Sequence, residues 1–198
     1  MTFETVSPVA TGQWFSLPGE APWWFDSGSL ALDFAYTGAL TGNSETLHSP
    51  GDLGHWLATR FPRIDIGLSE RELSDALGFR AAVARMALAS AKRNELSASD
   101  IDIVNLFAAL ADLPPALPGG TRQAGASRAR PTQALSTVAR DAVATFGPEL
   151  RARIRKCSAD DCELVYLDTS RSGNRRWCSM QRCGNRAKVR AHRARAVR

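Results

Sequence analysis

Residues 157–183 read CSADDCELVYLDTSRSGNRRWCSMQRC and contain every cysteine of the chain. Cys157 and Cys162 form one pair, and Cys178 and Cys183 form a second pair with the same internal spacing. Two short loops that each present two sulfurs can enclose a zinc ion completely, because zinc favours tetrahedral coordination by soft thiolates. We therefore predict one structural Zn²⁺ with these four cysteines as its ligands. A closed thiolate shell leaves no position for catalytic water, so the function must come from the surface that the metal shapes.

The sequence around the cysteines predicts a small module of mixed α and β structure. Its predicted parts are a knuckle at 157–162, a strand at 164–167, a turn at 168–174, in which Gly173 or Asn174 takes a positive φ, and a returning strand at 175–177. Ser179 is the expected N-cap of a helix that begins at Met180. Cys183 then lies in the first turn, where the helix dipole stabilises a thiolate. Knuckle, hairpin and helix together describe a treble-clef-like zinc fold.

The charge of the chain is divided unevenly along its length. Residues 151–198 contain 14 Lys and Arg against four acidic residues, a net charge of +10, whereas residues 1–150 contain 11 basic and 16 acidic residues, a net charge of −5. No acidic residue follows Cys183. This asymmetry predicts a polyanion partner, since each neutralised phosphate releases a counterion. The candidate nucleic-acid contacts are Arg175, Arg176, Arg182, Arg186, Lys188, Arg190, Arg193 and Arg195.

Several of these residues have a second interpretation that the sequence leaves open. The basic helix could be a solvated tail that binds nothing specific. Arg186 could pair with Asp168 instead of contacting DNA, and Asn185 could fasten the hairpin turn through hydrogen bonds to the backbone. Trp177 is expected in the core rather than as a platform for bases. His192 is expected on a polar helix face or at a phosphate.

Apolar periodicity predicts that the larger N-terminal part is mainly helical, with one small β-hairpin. The predicted units are a flexible leader at 1–21, the N-terminal domain at 22–148 and the zinc finger at 149–198. The predicted helices are a segment of about ten residues after Ser49, then 69–92, a helix capped by Ser97 or Ser99, and 132–146. Residues 29–36 (SLALDFAY) fit a buried helix or strand. Pro, Gly and Ala between 113 and 130 favour a hairpin over a flexible loop.

No catalytic constellation is visible in the N-terminal part, so we predict that the protein is not an enzyme. His48 and His55 stand alone, without a nucleophile or paired carboxylates nearby in sequence. Trp23, Trp24 and Phe25 are expected in a core or interface, with a ligand pocket as the alternative. The N-terminus lacks the pattern of a signal peptide and no apolar run approaches the ~20 residues of a membrane span. A cytoplasmic protein without membrane contact is therefore expected.

The finger segment also resembles a known family. Trp177-Cys178-Ser179-Met180, followed by Cys183-Gly184-Asn185-Arg186, Lys188 and His192-Arg193-Ala194-Arg195, is similar to the CGNR zinc finger. That finger follows an N-terminal ABATE domain, described as a stress-induced transcription regulator, and Leu30-Ala31-Leu32-Asp33-Phe34 resembles its start. Over residues 22–198 the resemblance implies a bacterial, zinc-dependent, DNA-binding regulator, found at the nucleoid when bound, whose N-terminal domain senses a small molecule or protein.

Other functions and assemblies remain open at this stage. One alternative is an RNA-binding or ribosome-associated protein, because a cationic helix serves either phosphate backbone. Another is a small-molecule enzyme whose finger is an interaction module. A homodimer is expected, since a single finger covers few base pairs.

Overall fold

The computed structural model describes residues 9–15, 21–40, 45–61, 63–114 and 129–196. Within these ranges the chain has an α+β fold. Its strands are β1 (Gln13–Phe15), β2 (Trp23–Phe25), β3 (Ile154–Lys156) and β4 (Val165–Leu167). Its α-helices are α1 (Leu30–Ala35), α2 (Pro50–Ala58), α3 (Glu70–Ala91), α4 (Ala98–Ala108), α5 (Pro131–Phe146) and α6 (Asn185–Ala196). The predicted fold class, a mainly helical N-terminal part followed by a hairpin and a helix around clustered cysteines, is confirmed.

Helix α3 is the central element of the N-terminal part and packs against α1, α4 and α5. It begins where the sequence predicted, because Ser69 and Glu72 form a capping box: the Ser69 hydroxyl accepts from the Glu72 amide, and the Glu72 carboxylate accepts from the Ser69 amide. Its buried face, which includes Phe79 and Val83, fills the core between the other helices. The predicted helices α2, α4 and α5 are likewise present.

The segment whose type was ambiguous in sequence, residues 29–36, is the short helix α1. All six of its residues are buried, so apolar periodicity could not distinguish it from a strand. An acidic residue far away in the sequence binds the start of this helix: the Asp141 carboxylate on α5 accepts from the Ser29 hydroxyl (2.6 Å) and from the Ala31 amide (2.8 Å). A carboxylate at a helix N-terminus is stabilised by the helix dipole, so α1 and α5 hold each other in place.

A pair of short strands lies near the N-terminus, at a place where the sequence predicted no strand. Residues 13–15, inside the predicted flexible leader, form β1, which pairs antiparallel with β2 in the register Trp14 opposite Trp24. Both strands consist mostly of aromatic residues and are too short to show a period in the sequence. The hairpin favoured between 113 and 130 falls mostly on residues 115–128, which lie outside the described residues. At its end Ala129 makes a parallel bridge with Ile64.

The finger hairpin also differs from the predicted one. The strand 164–167 is present as β4, but its partner is β3, which precedes the first cysteine, and not residues 175–177. The knuckle 157–162 is therefore the loop of the hairpin. The predicted turn is confirmed, with Gly173 at φ +61°. Residues 175–177 are bound through side chains and single backbone contacts, such as Ser158 N to Arg176 O at 2.9 Å.

The two halves of the chain share their hydrophobic interior. Ile154, Val165 and Leu167 of the finger strands belong to the same buried cluster as the helices α1 to α5. The Leu167 amide donates to Ser27 O at 2.8 Å, and Gly28 (φ +78°) allows this approach, because a Cβ at that position would lie 2.4 Å from Leu167 O. In the part of the chain that the structure describes, none of the helices combines the length and the apolarity that crossing a bilayer demands.

Candidate metal centre

Two backbone segments bring the four cysteines together. Cys157 follows β3 directly, and its amide donates to Leu164 O at 2.8 Å, which closes the knuckle. The Cys162 amide donates to Ala159 O at 3.1 Å within the same loop. On the other side, a π-helical turn at Met180–Gly184 places Cys183 just before α6. The Cys178 amide lies 3.4 Å from the Cys157 sulfur and donates to it, so each pair supports the other.

The four sulfurs have the spacing of a tetrahedral site. All of them lie within 4.8 Å of one another, with Cys162 Sγ to Cys178 Sγ at 3.7 Å and Cys178 Sγ to Cys183 Sγ at 3.4 Å. Zinc–sulfur bonds of about 2.3 Å require sulfur separations of about 3.8 Å in a tetrahedron. The cysteines are free and buried, so the disulfide alternative does not apply. As predicted, this donor set fits one structural zinc ion.

The close approach of the four buried sulfurs shifts the pKa values of two of the thiols in opposite directions. Hydrogen bonds from Cys162 and Cys178 lower the pKa of Cys157, whereas the pKa of Cys178 is raised because it faces the other sulfurs in a buried site. Without a metal the cluster therefore holds protons between its sulfurs. A divalent ion would displace those protons, which couples metal binding to pH.

Two arginines lie next to the sulfurs: Arg182 in the π-helical turn and Arg186 at the start of α6. Arg186 Nη2 donates to Cys183 Sγ at 3.3 Å, and Arg182 Nη1 lies 4.0 Å from Cys162 Sγ. The Cys183 sulfur raises the pKa of Arg186 in return. Four thiolates around one zinc ion leave a net negative charge, which these guanidinium groups offset. Arg182 also stacks over the Trp23 ring, with its central carbon 4.3 Å from the ring centroid.

The metal centre packs directly on the N-terminal part. Trp23, Phe25 and Tyr36 share a buried cluster with the four cysteines. The Tyr36 hydroxyl donates to Val165 O at 2.8 Å and accepts from Val165 N at 2.7 Å, so a side chain of the helical part completes the hydrogen bonding of β4. Burial raises the pKa of Tyr36, which keeps this hydroxyl protonated. Tyr36, at the C-cap of α1, therefore links this helix directly to the finger.

The predicted nucleic-acid residues divide into two groups. Arg175 points into the protein: it donates to Asp26 O (2.9 Å), Trp177 O (3.0 Å) and Cys178 O, and it lies over the Tyr166 ring. The expectation of a DNA contact at Arg175 is therefore replaced by a structural role, because its fork of donors already binds backbone carbonyls. Arg182 and Arg186 are half-buried beside the sulfurs. Exposed residues make up the second group: Arg176, Lys188, Arg190, Arg193 and Arg195.

Arg186 does not form the pair with Asp168 that the sequence left open as an alternative to DNA contact. Arg186 pairs with Asp161 instead, Nη1 to Oδ2 at 3.2 Å, and Arg190 reaches the same carboxylate at 3.1 Å. Asp168 is fully buried and organises the turn after β4, accepting from Ser170 and from the Arg175 amide. These bonds hold the pKa of Asp168 low against the effect of its burial.

Other side chains follow or depart from expectation in simpler ways. Asn185 donates to Gln181 O in the preceding π-helical turn and does not reach the hairpin turn. Trp177 packs against the cysteine cluster, as predicted for a core residue. Sequence reasoning missed Tyr36 and Asp161 as supports of the site. Only the two adjacent acids of the knuckle, Asp160 and Asp161, opposite a row of arginines could have indicated Asp161, and no local signal marks Tyr36.

Comparison with family models finds two matches in succession. Residues 28–148 match ABATE, described as "Putative stress-induced transcription regulator". Residues 153–196 match the CGNR zinc finger. The resemblance noted from the sequence is thereby confirmed for both halves. A search of curated proteins found no match.

Proposed function

The chain belongs to the ABATE family and carries a CGNR zinc finger, and from this premise we propose that it is a zinc-dependent regulator of transcription that binds DNA through α6. The main support is the charge of that helix. Its described side chains are exposed or half-buried, and every charged one is basic. A solvated helix that binds nothing commonly mixes both signs, so this surface suits a phosphate backbone.

The exposed cations differ in whether they already have a hydrogen-bond or ion-pair partner within the protein. Lys188, Arg193 and Arg195 have no acceptor within hydrogen-bonding reach among the described residues, so a phosphate would replace only water and salt ions. Arg190 shares Asp161, although its side chain is 58% exposed. We therefore assign the phosphate contacts to Lys188, Arg193 and Arg195 first, and to Arg176 and Arg190 second. Arg182 and Arg186 support the metal centre.

We further propose that the helical part senses an effector and passes the signal to the finger. The support is physical continuity: Tyr36 of the helical part binds the backbone of β4, and β3 and β4 are buried against α3. A small molecule or protein that shifts α1 would move β4 and with it the cysteine knuckle. We also propose that the regulator acts as a homodimer, since one short helix reads few base pairs. Its proposed location is the bacterial cytoplasm.

The binding proposal is tested by removing the three free cations together. The variant K188Q/R193Q/R195Q should bind duplex DNA more weakly, and the slope of log affinity against log salt should fall by about 3, because each lost phosphate contact removes ~0.9. The matched control is Arg71→Gln, since the Arg71 side chain on α3 is 91% exposed and distant in sequence from the finger. That control should keep both the affinity and the slope.

Two results would count against the proposal. An unchanged salt slope in the triple variant would show that α6 is not the contact surface. Stronger binding to RNA than to matched duplex DNA in direct competition would favour the RNA-binding alternative. A selection from genomic fragments at two salt concentrations completes the test, since a specific regulator enriches a sequence motif.

A further inference from the structure

A groove of about 540 Å³ lies where the N-terminal hairpin meets the start of the finger helix. Trp24 of β2 forms one side, and Arg176, Trp177, Met180 and Gln181 form the other. Trp177 also packs against the cysteine cluster and Cys178 borders the groove, but none of the five side chains named here is a metal ligand. The groove is open to solvent, and its lining exposes mainly apolar surface next to the most basic element of the chain.

Trp24 is held as a rigid platform at this groove. The backbone of Gly12 (φ +101°) lies against the indole so closely that a Cβ there would approach a ring atom to 2.6 Å. Trp14 meets the ring edge-on, with the centroids 5.7 Å apart at 78°. The indole is nevertheless 44% exposed, and Met180 across the groove is 52% exposed. A fixed, half-exposed aromatic ring binds a planar group without losing conformational freedom.

The charges around the groove suit an anion attached to that planar group. The Arg176 guanidinium lies over the Trp177 ring, 5.0 Å from its centroid, and is exposed. Lys188 and Arg195 lie on α6, which continues directly from the π-helical turn that carries Met180 and Gln181. The acid at the groove, Asp26, is engaged internally, since its carboxylate accepts from Thr11 Oγ1 (2.7 Å) and from the Gly28 amide (2.8 Å).

We propose that this groove takes up one unpaired base of the nucleic acid strand that α6 holds; the inference rests on the proposed function. Aromatic rings bind the faces of any base, and the adjoining cations follow the phosphates of the same strand. The open shape favours a base tethered to a strand over a free ligand, because small-molecule sites bury most of their ligand. A base on a bound strand instead arrives at high effective concentration.

The test compares three DNA duplexes of one sequence with the full-length, zinc-loaded protein. One duplex is fully paired, one carries a single bulged nucleotide, and one carries an abasic bulge at the same place. The base-bearing bulge should bind about tenfold more tightly than the abasic bulge, the gain expected for stacking of one base on an aromatic side chain. In Trp24→Ala this ratio should fall to unity, and Trp24→Phe should retain most of it.

The control is Leu106→Ala, which shortens another exposed apolar side chain, on α4 and outside the groove, and should keep the full ratio. Zinc content and circular dichroism establish that each variant is folded.

Equal affinity for the two bulged duplexes, alongside binding of the paired duplex, overturns the groove assignment and leaves the proposed function intact. A base preference that survives Trp24→Ala also overturns it. Absence of binding to the paired duplex overturns the proposed function itself, and competition by a free mononucleotide as strong as by the bulged strand rules out the tethered base.

Discussion

At the scale of single residues, Asp33 is the most unusual ionisable group in the helical part. It is fully buried on α1, where its carboxylate accepts from the Gly12 amide and from the Ser27 hydroxyl, both at 2.6 Å. Burial outweighs these hydrogen bonds and raises the pKa of Asp33 from 3.8 to about 6. The carboxylate ties the start of β1 to α1, but it is costly to ionise in place.

This shift predicts a pH dependence of stability with a definite sign. Because the folded-state pKa is raised, the contribution of Asp33 is fully present below about pH 4 and is lost as the pH rises through about 6. The loss amounts to about 3 kcal/mol of unfolding free energy. Denaturant unfolding of the wild type and of Asp33→Asn, measured between pH 4 and 7, should show a steeper fall of stability in the wild type, because Asp141, whose pKa is also raised by burial, titrates in both proteins.

The comparison depends on the slope and not on the absolute stability. An asparagine amide would place a donor against the Gly12 amide or the Ser27 hydroxyl, so the variant can be less stable at every pH. Carboxylates with lowered pKa values, such as Glu45 beside Arg80, titrate in both proteins and cancel in the difference. Identical pH profiles for the two proteins would mean that Asp33 is not a burial-shifted group.

What the sequence could predict at this scale depends on whether the chemistry is local. Four cysteines in two equal pairs define their site because zinc requires them to converge. Arg175 and Arg176 are neighbours with identical side chains, yet one binds three backbone carbonyls and the other faces solvent. That difference is set by the distant Asp26 and by Tyr166, which no pattern around position 175 reveals.

At the scale of secondary-structure elements, two helices begin at serine N-caps that differ in one respect. The Ser69 side chain caps α3 with a complete capping box, whereas the Ser97 side chain makes no cap hydrogen bond at α4 and pairs with Ser99. Orphan amide groups at a helix start are costly unless a side chain accepts from them. The two positions therefore form a matched pair.

Replacement of each serine by alanine separates capping from helix propensity. Ser69→Ala should lower the unfolding free energy by about 1 kcal/mol, because it removes the hydroxyl that accepts from the Glu72 amide and donates to the Glu72 carboxylate. Ser97→Ala should cost clearly less. Urea midpoints at a constant m-value provide the measurement. Equal losses for the two variants would indicate that the cap of α3 contributes nothing beyond an ordinary surface serine.

The elements also show where prediction from pattern fails. Long helices with caps, such as α3, were located correctly because their signals repeat over many residues. Each strand described here has only three residues, too few for a period to emerge. For this reason the sequence predicts the wrong partner for the strand at 164–167. It favours the following residues 175–177, whereas the structure pairs β4 with the preceding β3 across the knuckle.

At the scale of the whole molecule, the metal centre and the helical part are one folded unit. Trp23, Phe25 and Tyr36 pack on the cysteines, and Ile154, Val165 and Leu167 complete the core between the helices. The regions of the two successive family matches therefore share buried contacts. Tyr36 at the end of α1 contacts β4, and β3 and β4 pack against α3, so the finger strands and these helices support one another.

This shared core predicts that zinc removal destabilises the entire chain. Structural zinc sites contribute about 10 kcal/mol or more of apparent binding energy, comparable to the total stability of a typical domain. Treatment with a strong chelator should unfold residues 154–183 and also accelerate hydrogen exchange at the amides of α1 and α3, because β3 and β4 no longer cover them. Readdition of zinc to the same sample should restore the slow exchange, which controls for direct effects of the chelator. Exchange in α3 that stays slow after the metal has left would show that the helical part folds alone, and the proposed route from effector to finger would then lack its physical basis.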